Sequence, residues 1–365
     1  MTRFRLLALG SILFALGFGH WLGARPYRRP LLTPTLALKS ARLSAVLPPA
    51  PPPSAIVEAV PAVSAAVPAP PSAASASTPP FEYTDNSLLV GLDRRPFGGG
   101  AGLSDTILVA VFDEASDALG LVSIPRDLWV EIPGHAADRI NTVMNVARRS
   151  GEDPLALLGR VVENTLGLPI AHSVAIDIGV LERAVDALGG VTLDVPCPIV
   201  DRFIDPRDPS GYRKLDLTAG EARLDGVTAA MYARSRHGRS DFNRARRQQA
   251  LLVAMRRELG KPTTLIRLPT LFNQFEDSLE TDLRRVDVLT LARRLLQVGP
   301  RNLHGLVLSV EQVTPMQAAG GKAVLRPNRE AINKALNGLF AAPPPGLPQA
   351  GSVCPKADVA LTSGS

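Results

Sequence analysis

Residues 86–127 read NSLLVGLDRRPFGGGAGLSDTILVAVFDEASDALGLVSIPRD, and this stretch decides the fold. Residues 86–92 form an apolar run that stops at Asp93, the pattern of a buried strand. Residues 94–104 contain Pro96 and three consecutive glycines and read as a loop. A second apolar run covers 106–112, Ser116-Asp117 marks a turn, and a third run covers 119–124, which predicts an antiparallel hairpin. Pro125 then ends the ladder, because it has no amide proton to donate.

Working outward, Asp153-Pro154 opens a helix that runs towards Gly167, with Asp as cap and Pro in the first turn. Strands are expected at 173–176, 191–195 and 303–310. Helices are expected at 180–188, where Gly189-Gly190 stops the chain, and at 225–233, 241–259, 286–296 and 329–340. Strands and helices mix without strict alternation and without a fixed internal period. The fold class is therefore α/β with a mixed β-sheet flanked by helices.

The flanks differ in composition from this head. Residues 6–24 carry no charge, and nineteen residues of helix span roughly 28 Å, close to a bilayer core. Arg3 and Arg5 precede the stretch while Arg25, Arg28 and Arg29 follow it, so charge alone gives no orientation. The expectation is a cytoplasmic tip and transmembrane signal anchor over 1–24. A cleavable signal peptide ending near Gly23-Ala24 is the rival. Residues 25–80 are rich in Pro, Ala, Ser and Val and form an extended linker, with an upper reach of about 170 Å. The globular head covers 81–341, and 342–365 return to Pro, Gly and Ser as a loose, disordered tail. This arrangement expects a single-pass protein of the cell membrane with its head extracytoplasmic.

The chain has 365 residues, 40 Lys+Arg against 34 Asp+Glu, and two cysteines. Two cysteines exclude a disulfide-dense scaffold and a four-cysteine zinc site. Cys197 and Cys354 could pair or stand as unrelated thiols. Only six of the basic residues are lysine. A GC-rich genome produces that bias, and so does a need for planar forks that grip phosphate, so position must decide between them.

Three constellations could carry chemistry. Asp93 and Asp105 flank the glycine-rich loop, and on neighbouring strands they would share one edge of the sheet. Two hard oxygen ligands suit Mg²⁺ that completes its shell with water and phosphate; the plainer reading is a pair of loop-capping aspartates. Arg126 projects from the rim where Pro125 stops a strand, placed to clamp a phosphate or to pair with a nearby carboxylate. Residues 234–247 hold six arginines in fourteen positions. There Arg244, Arg247 and Gln248 share a helical face, Arg234 and Arg236 share a face if extended, and Asp241 could cap the helix. Such a cluster calls for a pyrophosphate or a nucleic-acid backbone, unless it is simply a solvated basic face. Few aromatics interleave with it, and no helix-turn-helix signature is present. There is no Gly-x-Ser-x-Gly elbow, P-loop or His-Glu-x-x-His either.

The ordered set of motifs resembles the LytR-CpsA-Psr family over residues 84–341. It runs Asp93-Arg94-Arg95, Ser104-Asp105-Thr106, Ser123-Ile124-Pro125-Arg126-Asp127 and Arg139-Ile140-Asn141. It continues with Leu188-Gly189-Gly190-Val191, Leu224-Asp225-Gly226, Tyr232-Ala233-Arg234-Ser235-Arg236, Asp241, Arg244 and Arg247-Gln248-Gln249. The resemblance implies a membrane-anchored phosphotransferase of the bacterial envelope. It would move a glycopolymer from a polyprenyl pyrophosphate carrier to peptidoglycan, with a hydrophobic groove for the prenyl tail. It implies Mg²⁺ on Asp93 and Asp105, and pyrophosphate on Arg126, Arg139, Arg234, Arg236, Arg244 and Gln248. Asp93, Asp105 and Arg126 become the catalytic set, with Asp105 or Asp93 as base towards the acceptor hydroxyl. Nucleic acid is not an expected partner. Two alternatives remain: a non-catalytic lipid-binding scaffold, and a nucleic-acid-binding attenuator. The chain departs from the family where Leu103 stands in place of a common arginine, which Arg94 or Arg95 would have to replace, and in a short span between Arg236 and Asp241.

Overall fold

The computed structural model describes residues 81, 84–93, 102–205, 207–236, 241–265, 279–318 and 320–346. The expected anchor, the linker, Arg94, Arg95 and Cys354 lie outside the described residues. Among the described residues no helix is long and apolar enough to cross a membrane, and no cysteine is free, Cys197 being disulfide-bonded.

The opening stretch forms three adjacent antiparallel strands, β1 (Thr84–Asp93), β2 (Leu103–Asp113) and β3 (Ala118–Ile124). Every residue of β3 is buried, as its continuous apolar run requires of a strand covered on both faces. Asp117 takes a φ of 50° in the turn before it, a conformation that Asp tolerates better than most side chains.

After β3 come the short pair β4 (Trp129–Val130) and β5 (Asp138–Arg139), then helices α1 (Val143–Ser150) and α2 (Pro154–Leu166). Asp153 accepts hydrogen bonds from the Leu155 and Ala156 amides, and Gly167 closes α2 with a φ of 71°, so both ends follow the sequence signals. Strand β6 (His172–Asp177) runs parallel to β1 and leads into α3 (Ile178–Ala187). This helix starts two residues before the expected 180 because Asp177 caps it, accepting from the Val180 amide at 2.8 Å.

Next come β7 (Val191–Val195), the hairpin β8 (Ile199–Ile204) and β9 (Tyr212–Leu217), and β10 (Gly220–Leu224), which pairs with β7. Helices α4 (Gly226–Arg234), α5 (Asp241–Leu259) and α6 (Pro262–Leu265) follow. Strand β11 (Glu280–Thr281), α7 (Arg285–Gln297), β12 (Leu303–Val307), β13 (Val313–Gln317), β14 (Ala323–Pro327) and α8 (Arg329–Asn337) complete the described chain. The reading of a strand over 303–310 is too long. The Leu308 amide still reaches the Ser123 carbonyl at 3.1 Å, and the chain then turns at Ser309, whose carbonyl accepts from Gln312 and Val313.

The main sheet has the order β11-β6-β1-β2-β3-β12 and mixes parallel with antiparallel pairs. One face packs on α1, α2 and α8 through residues such as Met144, Leu158 and Ile332. The other carries Leu108, Leu121 and Leu303 against Leu252 of α5 and Leu291 and Leu295 of α7. A second cluster around Tyr232 joins α3, α4, α5 and β7 to β10. Burial pushes the Tyr232 phenol up to about 12, so it stays neutral and acts as packing. The first residues of the expected tail are held: the Gly305 amide donates to Pro343 at 2.9 Å, and His304 Nδ1 donates to Ala342 at 2.8 Å.

Candidate active site

The site lies on the α5 side of the sheet, where β1 ends and β2 begins. Their register slips between Gly91 and Leu92, so that Gly91 faces Thr106, Leu92 faces Ser104, and Asp105 is the extra residue of a β-bulge. A bulge re-aims a side chain out of the strand alternation. Gly91 permits it: a Cβ there would stand 2.9 Å from the Thr106 side chain. Asp93 and Asp105 thereby both line one cavity of about 870 Å³.

Arg126 follows the end of β3, one strand over. Its Nη1 donates to Asp105 Oδ1 at 2.9 Å, and its Nε stands 3.3 Å from Asp241 Oδ2 and 3.7 Å from Asp127 Oδ2. Burial works against the charge on Arg126, but Asp105, Asp241 and Asp127 together outweigh it and raise the pKa above the ordinary arginine value. Asp241 opens α5, and instead of standing outside as a cap it turns its carboxylate between Arg126 and Arg244. Arg244 is buried, its Nη2 reaching the Asp105 carbonyl at 3.4 Å and Asp241 Oδ1 at 3.6 Å. Burial lowers its pKa and Asp241 only partly opposes this. An arginine remains charged even so, and a buried cation incompletely neutralised favours an arriving anion.

Arg234 and Arg236 also line the cavity. Arg234 ends α4 and sits over the Phe203 ring, 5.5 Å from its centroid. Beyond Ser235, whose φ of −56° and ψ of 135° end the helix, the Arg236 amide donates to Asp201 Oδ2 at 3.3 Å; the same oxygen accepts from Ser235 Oγ at 2.8 Å. Gln248, one turn beyond Arg244, donates to the Ala233 carbonyl at 3.2 Å and lines the cavity too. Of the six clustered arginines, Arg239 lies outside the described residues, Arg246 donates to Asn243 Oδ1 at 3.1 Å, Arg247 is buried, and Arg234, Arg236 and Arg244 turn to the cavity.

One sequence-derived site residue stands apart. Arg139 is not among the cavity-lining residues; its Nη2 donates to the Ala323 carbonyl of β14 at 3.0 Å and its Nη1 lies 3.6 Å from Asp127. Its contacts steady Asp127 next to Arg126 rather than reaching the cavity. Conversely, sequence reasoning passed over Asp201, Arg202 and Phe203, which line the cavity from β8. Residues 199–217 mix charges with apolar residues at period two, and that alternation was the signal available.

Below this polar mouth the lining is apolar, with Leu89 and Leu108 from the sheet, Val174 and Ile176 from β6, and Leu251 and Leu252 from α5. The arrangement can hold an anionic head among arginines and an apolar chain beneath it. As for a metal, four aspartates line the cavity; Asp177 caps α3 and Asp201 accepts from Ser235 and Arg236, so Asp93 and Asp105 are the candidate donors. Among the described residues no group of three or more His, Cys, Asp or Glu could hold a metal ion. That donor set matches a cation taking most of its shell from water and phosphate, and among the described residues it forms no closed protein cage.

Fold and site together define a mixed α/β protein with an arginine-lined mouth over an apolar cavity. The family model of the LytR_cpsA_psr family matches residues 73–340, and the chain belongs to that family. It is 25% identical over 236 residues to the polyisoprenyl-teichoic acid–peptidoglycan teichoic acid transferase TagV of Bacillus subtilis (strain 168), a match covering 60% of this chain and 59% of the relative. It is 28% identical over 219 residues to the corresponding TagU of Oceanobacillus iheyensis, covering 60% and 64%. The chain thus spans about 60% of the length of these curated relatives. The crystal structure of B. subtilis TagV superposes with a TM-score of 0.57 at 23% identity, over 72% of this chain and 98% of that one, a likeness of fold.

Proposed function

We propose that this protein is a Mg²⁺-dependent phosphotransferase that moves a glycopolymer from a polyprenyl pyrophosphate carrier to peptidoglycan. The observation that carries the reading is the single cavity whose mouth gathers Arg126, Arg234, Arg236, Arg244 and Gln248 and whose depth is apolar. A diphosphate bonded to a long hydrocarbon has that same division. The names of the transferase relatives point to the glycopolymer and to peptidoglycan as acceptor. The uncharged stretch at 6–24 supports attachment to a membrane, and a peptidoglycan acceptor requires the head outside the cytoplasm.

Phosphoryl transfer asks the protein for position and charge neutralisation more than for a nucleophile of its own. The acceptor hydroxyl oxygen bonds to the phosphorus nearest the glycan while the bond from that phosphorus to the bridging oxygen breaks. Polyprenyl monophosphate leaves with the bridging oxygen, and a phosphodiester remains. Arg126 and Arg244 neutralise charge on the phosphoryl oxygens, and Arg234 and Arg236 hold the second phosphate. Asp105 or Asp93 accepts the hydroxyl proton. Asp93 and Asp105 would hold Mg²⁺, which when bound screens the diphosphate charge.

The test follows polyprenyl monophosphate released from a polyprenyl pyrophosphate by the full-length protein in detergent with Mg²⁺. Release by the parent chain and none by Arg126→Ala is expected. Tight binding without release, with glycan and acceptor both supplied, would replace the enzyme by a lipid-binding scaffold.

A further inference from the structure

The β8–β9 hairpin carries an exposed face at the edge of the cavity. Of five large apolar residues exposed among those described, Ile204 (75% exposed) and Tyr212 (49%) are here, and a third, Leu103, lines the cavity mouth. Ile204 and Tyr212 are directly paired across the hairpin, and Arg202 and Lys214 form the rung behind them. Alternation puts these four on one face. On the opposite face Asp201 holds Ser235 and Phe203 packs under Arg234, so that side faces the protein. Arg202 lies over the Tyr212 ring at 5.3 Å, and Lys214 pairs with Asp216 at 2.6 Å. The outward face thus ends in an apolar and aromatic pair backed by long cationic side chains with a small positive balance.

The tip is rigid. Asp205 is buried and accepts from the Arg207 amide at 3.0 Å and Arg207 Nε at 2.8 Å, with Arg213 Nε 3.3 Å away. Arg207 Nη1 in turn donates to Glu182 of α3 at 2.9 Å. A turn clamped in this way holds Ile204 and Tyr212 out in water, where exposure brings nothing to folding.

We propose that this face is a membrane-docking element: Ile204 and Tyr212 enter the headgroup region of a lipid bilayer, and Arg202 meets lipid phosphates. Tyrosine prefers that boundary, and long cationic stems reach headgroups while their carbons stay in apolar surroundings. The position gives the contact a use. Arg202 and Phe203 of the same strand line the cavity, so docking sets the mouth against the bilayer and lets a lipid tail pass in without crossing water. That use rests on the lipid-linked substrate proposed above; the contact itself does not.

The test places Ile204→Trp, and separately Tyr212→Trp, in the full-length protein within lipid nanodiscs containing phosphatidylglycerol. Fluorescence quenching by lipids brominated near the headgroup is compared with that of the parent chain, whose own tryptophans are Trp21 and Trp129. Added quenching in both variants, unchanged when Arg126→Ala is combined with them, is expected. Protection from an aqueous quencher should accompany it. A new tryptophan that iodide reaches freely and brominated lipid does not would overturn the proposal, as would protection given by peptidoglycan fragments alone. Because this readout needs no turnover, failure of docking and failure of the transferase reading are distinguishable. With turnover, Ile204→Ser should raise KM about tenfold for a long-chain carrier in a bilayer. It should leave a short-chain carrier in detergent unaffected.

Discussion

Arg126 donates to Asp105 at 2.9 Å across two neighbouring strand ends, so the expected phosphate clamp and one expected metal ligand are hydrogen-bonded to each other. The bond fixes the guanidinium plane before substrate arrives. It also helps to keep Arg126 charged against its burial. Arg126→Ala should therefore lower turnover by at least about a hundredfold, the scale of losing one preorganised donor. Arg126→Lys should recover little of it, because a point charge cannot face Asp105, Asp241 and Asp127 together. Initial rates of polyprenyl monophosphate release measure both.

Asp93 and Asp105 should separate from the arginines in their dependence on metal. Asp93→Asn removes a hard charged donor and should shift the Mg²⁺ concentration for half-maximal rate upward by about tenfold or more. Arg244→Lys should lower the rate with that midpoint nearly unmoved. If Mg²⁺ titrations of the two variants ran parallel, Asp93 would not be a ligand.

Asp201 holds the arginine segment through Ser235 Oγ and the Arg236 amide. Asp201→Ala should loosen Arg234 and Arg236 and remove the bond from Ser235 Oγ to Asp201. The expected result is a several-fold rise in KM, a smaller change in kcat, and a stability loss of about 1–2 kcal/mol. Thermal unfolding and steady-state rates on the same preparation separate the two effects.

The sheet and its helices were legible because the apolar runs of β1, β2 and β3 are long and their turn residues unambiguous, and because Asp153, Gly167 and Gly189 punctuate the helices. The bulge at Asp105 was not legible, since it depends on a slip in register that leaves no mark in composition. Nor was the hairpin at 199–217, where Asp205, Arg207 and Arg213 obscured a period-two pattern and proved to be its clamp. Arg126, Arg234, Arg236, Arg244 and Gln248 could be placed in one constellation from motif order. Arg139 could not be told apart from them until its contacts with Ala323 and Asp127 were visible.

The hairpin clamp should respond to acid. Hydrogen bonding from the Arg207 side chain, with Arg213 nearby, holds the Asp205 carboxyl below the usual aspartate range despite its burial. A depressed pKa contributes stability above the unfolded value near 3.9 and loses it as pH falls through the folded value. Amide exchange at the tip should thus stay slow from neutral pH down to about 4 and, corrected for intrinsic rate, accelerate below it. In Asp205→Asn the tip should already be faster at pH 7 and lack that acid step.

Gln249 tests how α5 is seated. Its buried Nε2 donates to the Leu121 carbonyl at 3.0 Å, Ser123 Oγ at 2.9 Å and the Leu306 carbonyl at 3.1 Å. One side chain of α5 therefore binds both β3 and β12, while its neighbour Gln248 lines the cavity. Gln249→Leu keeps the volume roughly but leaves buried acceptors unpaired, and should cost about 1–3 kcal/mol in denaturant unfolding. Gln249→Glu should cost more at neutral pH, because a carboxylate would face carbonyl oxygens, and should recover on acidification as the carboxyl becomes a donor. A larger loss in Gln249→Glu at pH 7 than at pH 5 would show that this amide seats the helix by donation. Equal losses at both pH values would mean that it serves only to fill space.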